Sequence, residues 1–276
     1  MRKLLSVYSL PLFLLLLLGT SCKKENTSPQ NAALAGLKLL SSGYATGAAT
    51  RVEIYAASNY FVGYNKLYVA LYDSASGQSI SQAQINLSTQ MSMGAGASLS
   101  GPVENPIGTT TNNGIFNAAA ILTMPTGSTG TFTLTAHISN LATQKSGDFV
   151  SPVTVVQPTP AKAYSVITQD DGSNLFVSIV QPMDPVTGPN TFEITIYKEI
   201  NGSGFTPDSN YTVQINPIMP SMYDMTSPND VNPVYSGNGH YVGKVNFTMG
   251  GAWQINVGLL HNGAVSDTSH YFDMTL

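Results

Sequence analysis

The sequence predicts an all-β chain built as two tandem sandwich domains. Three observations carry this. Apolar and polar residues alternate at period two along most of the chain, as they do in half-buried strands. Turn formers punctuate these runs at short intervals, and no segment shows a sustained helical period. Finally, one order of landmarks occurs twice. In the second half it is Gly188-Pro189-Asn190, the strand Thr191–Tyr197, Met219-Pro220-Ser221-Met222, Gly239-His240-Tyr241, Phe247-Thr248-Met249 and Trp253. In the first half it is Gly63-Tyr64-Asn65, Lys66–Tyr72, Met91-Ser92-Met93, Gly114-Ile115-Phe116, Leu122-Thr123-Met124 and Phe132. The interval from Gly114 to Met124 equals that from Gly239 to Met249.

At the start, Arg2 and Lys3 precede an apolar run, Leu10 to Leu18, broken only by Pro11. The run is short of the ~20 apolar residues that span a bilayer, and residues 1–21 read as a secretory signal peptide. Gly19-Thr20-Ser21 stand directly before Cys22, the only cysteine, so no intrachain disulfide forms. This junction resembles the lipobox of bacterial lipoproteins, with Gly19 where Leu or Val is commoner. The resemblance implies lipidation of Cys22 and a lipid-anchored place in the bacterial cell envelope, at the outer membrane, with the membrane itself as a partner. Residues 22–43 are then a lipidated cysteine and a polar tether, within which Ala33 to Leu40 could form a brief helix.

From Tyr44 the strand period sets in. Arg51–Tyr55, Asn65–Tyr72, Gln84–Ser88 and Thr131–Ile138 alternate, with turns at Ser74–Gly77, Asn112–Gly114 and Pro125–Ser128. Gly94 to Thr111, small, polar and broken by Pro102 and Pro106, reads as a long loop suited to binding. The first domain is expected over 44–156. Gln157-Pro158-Thr159-Pro160 make a stiff linker within 157–162, and the second domain runs over 163–276. About seven short strands per unit is the pattern of an immunoglobulin-like sandwich; periodicity alone also suits a small OB-type barrel.

Charge narrows the partners. Eleven basic and fifteen acidic residues give a net charge of −4, and no basic face supports nucleic-acid binding. The four histidines show no metal-ligand spacing, and no nucleophile elbow or phosphate loop is present, so we expect no enzyme. Asp170-Asp171-Gly172 reads as a turn between strands. Trp253, the sole tryptophan, is expected to plug a core.

Methionine is the residue type that gathers at defined places. A thioether is a soft, neutral ligand suited to Cu(I), and Met219 and Met222, with Pro220 between them, could converge with Met249 or His240. Core filling is the competing use of these residues, and for Met249 and Met124 it is the expected one.

The landmarks from Met219-Pro220-Ser221-Met222 through Gly239-His240-Tyr241 to Phe247-Thr248-Met249-Gly250-Gly251-Ala252-Trp253 resemble the YtkA-like/FixH-like domain. That family carries an M-P-x-M turn, a G-x-Y strand and an F-x-M-x-G-x-W strand on an immunoglobulin-like sandwich. The first unit matches in outline, with Phe132 in the tryptophan's place. The resemblance implies an accessory module of copper handling or cation efflux. Tyr223 and Asp224 stand where the family often has a histidine. The expected function is a non-catalytic envelope lipoprotein that binds an envelope protein partner or a metal, Cu(I) held at Met219, Met222 and Met249. The alternatives are a structural or adhesion-type interaction module without metal, and a carbohydrate-binding accessory domain.

Overall fold

Side chains of a strand point alternately to opposite faces, so period-two segments can bury one row and solvate the other. The computed structural model describes residues 32–93, 96–128, 130–200, 202 and 204–276; the expectations for residues 1–21 and Cys22 lie outside the described residues. In the first half the strands are β1 (Lys38–Ala45), β2 (Thr50–Ala56), β3 (Gly63–Asp73), β4 (Ala83–Ser92), β5 (Ser98–Gly101), β6 (Val103–Glu104), β7 (Ile115–Leu122), β8 (Thr131–Asn140) and β9 (Lys145–Val153). In the second they are β10 (Ala163–Ile167), β11 (Asn174–Gln181), β12 (Gly188–Ile200), β13 (Gly204–Pro207), β14 (Tyr211–Met219), β15 (Met225–Thr226), β16 (Val231–Gly237), β17 (His240–Phe247), β18 (Ala252–His261) and β19 (Ala264–Thr275).

The two halves repeat one topology. The first sandwich has sheets ordered β1-β2-β3-β7-β6 and β5-β4-β8-β9. The second has β10-β11-β12-β17-β16, with β13 added beside β12, and β15-β14-β18-β19. Strand for strand, these orders correspond. Register corresponds too: Gly63 pairs with Leu122 and Ala70 with Ile115, as Gly188 pairs with Phe247 and Thr195 with His240. Leu67–Tyr72 and Phe192–Tyr197 therefore occupy equivalent places, as the doubled landmarks require.

Each sandwich fills its own interior. Strand β4 alternates without exception, sending Ala83, Ile85, Leu87, Thr89 and Met91 inward against Leu67, Phe132 and Leu134. In the second sandwich Phe192, Ile194, Phe247 and Ile255 surround Trp253, which is 1% exposed and donates its indole N–H to Met249 O at 3.1 Å. Each such aliphatic or aromatic side chain contributes roughly 1.5–3 kcal/mol on burial.

Four expectations need correction. The stretch Ala33–Leu40 is no helix: a three-residue 3-10 turn, Ala32–Leu34, leads into β1. Strand pairing with β2 draws residues from Lys38 onward out of the expected tether. Leu34 itself is buried on the outer face of the first large sheet, against Ala70 and Ile115. The long loop over 94–111 carries two short edge strands, β5 and β6, which pair with β4 and β7. The small strands at each sandwich edge raise the count above seven per half.

The sandwiches meet over a real interface. Val156 exchanges backbone hydrogen bonds with Tyr60 and Val62, which ties the connecting segment to the first sandwich. Phe176 and Tyr197, on the outer face of the second large sheet, pack into the first sandwich's core cluster. Ser178 and Thr195 lie between them fully buried, their hydroxyls 2.6 Å apart. The described chain from residue 32 on holds together as one unit.

Candidate functional site

The seam between the sandwiches holds a cluster of hydrogen-bonded polar side chains. Phe192, Ile194 and Ile196 of β12 face the second core, so Glu193, Thr195 and Tyr197 must face the other way, toward the first sandwich. Beside them β17 begins at His240. The Asn238-Gly239 turn places it there: both residues have positive φ, 50° and 81°, the signature of a tight hairpin turn. A Cβ on Gly239 would stand 2.9 Å from Ile196 O, so only glycine fits. The first sandwich contributes Tyr64 from β3 and Glu104 from β6.

These side chains saturate one another. His240 places Nδ1 2.6 Å from Glu193 Oε1 and Nε2 2.6 Å from Glu104 Oε1. Tyr64 donates to Glu104 Oε2 at 2.8 Å, and Tyr197 donates to Glu104 Oε1 at 3.2 Å. The Tyr64 ring meets the imidazole edge to face, centroids 5.6 Å apart. An imidazole that serves two carboxylates must carry a proton on each nitrogen, so His240 is an imidazolium here. Burial works against that charge. The hydrogen bonds and charges of Glu104 and Glu193 outweigh it and lift the His240 pKa to about 9. Burial likewise favours a neutral Glu104, but the bonds from His240, Tyr64 and Tyr197 hold its carboxyl below the usual range. Burial, then the neighbouring Glu104 charge, push the Tyr64 and Tyr197 phenols upward. The cluster is a lock between two sandwiches rather than a site with a free reactive atom.

Two clefts flank it, and both are lined by Tyr64 and Lys66. One, of about 630 Å3, runs past Asn117 and the fully exposed Ile107 to Asn238 of the second sandwich. The other, of about 540 Å3, lies between Phe61, Tyr68 and the second sandwich's Met183 and Asp184.

The methionines singled out in the sequence gather at one end of the second sandwich. Met219 ends β14 and is 3% exposed; its methyl lies 3.1 Å from where a Cβ on Gly251 would sit. Met222 and Met249 face outward, 47% and 40% exposed, so Met249 does not fill the core as expected while Met219 does. Met124 packs against the first core, half-buried. Among the described residues no group of three or more His, Cys, Asp or Glu is placed to hold a metal ion. Asp170 and Asp171 sit in the turn between β10 and β11, as read from the sequence.

Sequence reasoning missed Glu104 and Glu193 entirely and noted His240 only as a neighbour for thioethers. One signal was available. His240 stands in the register position that Ile115 fills in the first copy, so a polar residue replaces an apolar one within a repeated strand.

Strand β11, the Met219-Pro220-Ser221-Met222 turn, the Asn238-Gly239 hairpin and the tryptophan strand β18 now stand in one sandwich. Residues 170–258 match the YtkA-like family. The YtkA-like segment thus takes in β11 to β17 and most of β18, while the first sandwich shares its topology without falling within the match. No curated protein matches the chain in sequence. Among solved structures, the adhesin FdeC of Escherichia coli matches at 14% identity and a TM-score of 0.27, over 86% of this chain and 66% of that one. Invasin, a bacterial integrin-binding protein, matches at 12% and 0.27, over 82% of this chain and 39% of that one. Domains 5–6 of the S-layer protein SbsC match at 12% and 0.28, over 86% and 96%. This chain therefore spans less than two thirds of the adhesin and of invasin, and likeness at these scores carries nothing about what it does.

Proposed function

We propose that the protein is a non-catalytic binding module of the bacterial cell envelope. In this reading a lipid on Cys22 holds it at the outer membrane, and the two sandwiches present one rigid surface to an envelope protein. The observation that supports it is the seam. An imidazolium clamped between carboxylates of different sandwiches fixes their relation, and preorganised surfaces bind without the cost of ordering on contact. Cross-linking in intact cells, with wild type beside Cys22→Ser, tests it. A discrete envelope protein should be recovered from wild type with or without a chelator, and lost when the anchor is lost. Recovery of no discrete protein would overturn the reading.

A second reading, weak Cu(I) handling by Met219, Met222 and Met249, is favoured by two thioethers that face solvent at one end of the YtkA-like segment. It predicts a partner, or a thermal shift, that depends on copper.

A further inference from the structure

We propose that the trough along the outer side of β7 binds a neutral oligosaccharide, its amides and hydroxyls meeting the sugar hydroxyls and its tyrosines the C–H faces of the rings. This goes beyond the protein-partner reading and does not rest on it.

The trough is continuous. The cleft of about 630 Å3 that reaches Asn238 shares Thr111, Ile115 and Asn117 with a second hollow, of about 360 Å3, that begins at Ala33 and Tyr68. Each volume lies within the ~300–1,000 Å3 of ligand sites. One bank is the end of the long stretch that the sequence marks as suited to binding. Asn105 Oδ1 accepts from Leu87 N at 2.6 Å, and Thr111 Oγ1 donates to Ile115 O at 2.9 Å. The strap between them is therefore pinned at both ends, and the trough stands preformed.

Asn117 is the residue that the fold does not explain. Every other residue of β7 is apolar and buried, yet Asn117 is exposed, and nothing among the described residues bonds its amide. Asparagine is also depleted in strands. The repeat supplies a control. Tyr68 pairs with Asn117 in the first sandwich, where Glu193 pairs with Val242 in the second. The shared topology thus accepts an aliphatic residue at this place, which leaves the amide for something outside the chain. At the other end Asn238 is exposed too, and only its backbone oxygen is engaged, by Tyr197.

The lining selects the class of ligand. Asn112, Asn117, Asn238 and Thr110 present neutral polar groups, whereas a site for an apolar ligand is lined mainly by apolar side chains. A carboxamide carries donors and an acceptor on one plane, which suits hydroxyls that both give and accept. Tyr64 and Tyr68 add rings with an apolar body and a polar tip. Charge is balanced at the seam end, where Lys66 and the His240 imidazolium match Glu104 and Glu193, so neither an anion nor a cation is favoured. An extended peptide finds little to pair with: the edge strand here, β6, is two residues long and lies between Pro102 and Pro106.

The test is calorimetric titration of the full-length chain, held in a detergent without sugar headgroups. The probes are cellohexaose, xylohexaose, laminarihexaose, maltohexaose and chitohexaose. At least one should bind saturably, with a dissociation constant of about 1 mM or tighter, and added salt should not weaken it. Asn117→Val takes the residue of the second sandwich, and Asn238→Gly keeps a turn with positive φ. Together they should weaken binding at least tenfold, while Asn86→Val, on the other sheet of the first sandwich, should leave it unchanged. No binding by any probe, or equal binding by the Asn117→Val/Asn238→Gly variant, would overturn the proposal. So would tighter binding of hexagalacturonate, or of a Ser-Asn-Gly repeat peptide, which would mark the trough as an anion or peptide site. Recovery of a cross-linked envelope protein from cells is a separate result, so either reading can fail alone.

Discussion

Asn65 and Asn190 make the same clasp in the two sandwiches. Asn65 Nδ2 donates to Phe61 O and Gly63 O while its Oδ1 accepts from Phe61 N, at 2.8, 2.9 and 3.0 Å. Asn190 does the same with Val186 O, Gly188 O and Val186 N, at 2.7, 2.8 and 3.0 Å. Each clasp ties the loop ahead of a central strand to that strand, and each amide is nearly enclosed, 4% and 8% exposed.

Removing one clasp takes the side-chain partner from three backbone groups, most of them part-buried. Asn65→Ala and Asn190→Ala should each cost about 1–3 kcal/mol. Urea unfolding of each variant reads this directly. A loss within error for both would show that water replaces the amide at no cost.

The seam should make stability depend on pH from the alkaline side. The His240 pKa is raised in the fold, from an ordinary 6.5 to about 9. Its stabilisation is therefore full below about pH 6.5 and is lost as pH rises through about 9, a term of up to ~3 kcal/mol. Glu104 acts in the opposite sense: its carboxyl is held low, so its share is present above the ordinary carboxylate range and disappears on acidification. Melting temperatures of wild type should form a plateau that falls toward pH 9, and His240→Gln should flatten the alkaline fall. Parallel curves for the two proteins would remove His240 from the account.

The hairpin before His240 has no room for a side chain. Gly239→Ala brings a Cβ against Ile196 O at a positive φ, and should destabilise by at least ~1 kcal/mol. Thermal unfolding checks the size. Because the turn positions His240, the variant should also lose part of the alkaline sensitivity.

The methionines separate packing from metal chemistry. Met219→Ala, which empties a core position, should cost about 2–5 kcal/mol, whereas Met222→Leu and Met249→Leu, at half-exposed positions, should stay within ~0.5 kcal/mol. Titration of Cu(I) into wild type and into the Met222→Leu/Met249→Leu variant then decides the second functional reading. Equal affinities would end it.

How much of this was legible beforehand differs by level. The doubled landmarks were readable because they are backbone requirements: a clasp asparagine, a positive-φ glycine, an inward aromatic. Strand β4 was readable because only one of its faces is buried. The sequence Glu193-Ile194-Thr195-Ile196-Tyr197 alternates just as cleanly, and period two makes its polar row a solvent row. In the fold that row is covered by the other sandwich, and Thr195 and Tyr197 are buried. Alternation reports the faces of a sheet but is silent on what later lies against them. For the same reason the Glu104–His240 contact, between residues far apart in the chain, left no trace at Glu104, and at His240 only the polar residue in the position that Ile115 fills in the first copy. Met219 was read with Met222 as a candidate thioether ligand about the Pro220 turn, yet it is the last residue of a strand and points inward.

Leu34 gives the folded body a fixed point of departure. That side chain is sunk against Ala70 and Ile115, which pins the first described residues to the outer side of the first large sheet. The stretch from Cys22 to Ala32, at ~3.5 Å per residue, reaches no farther than about 35 Å. Any anchor carried at Cys22 could therefore lie no farther than that from Ala32.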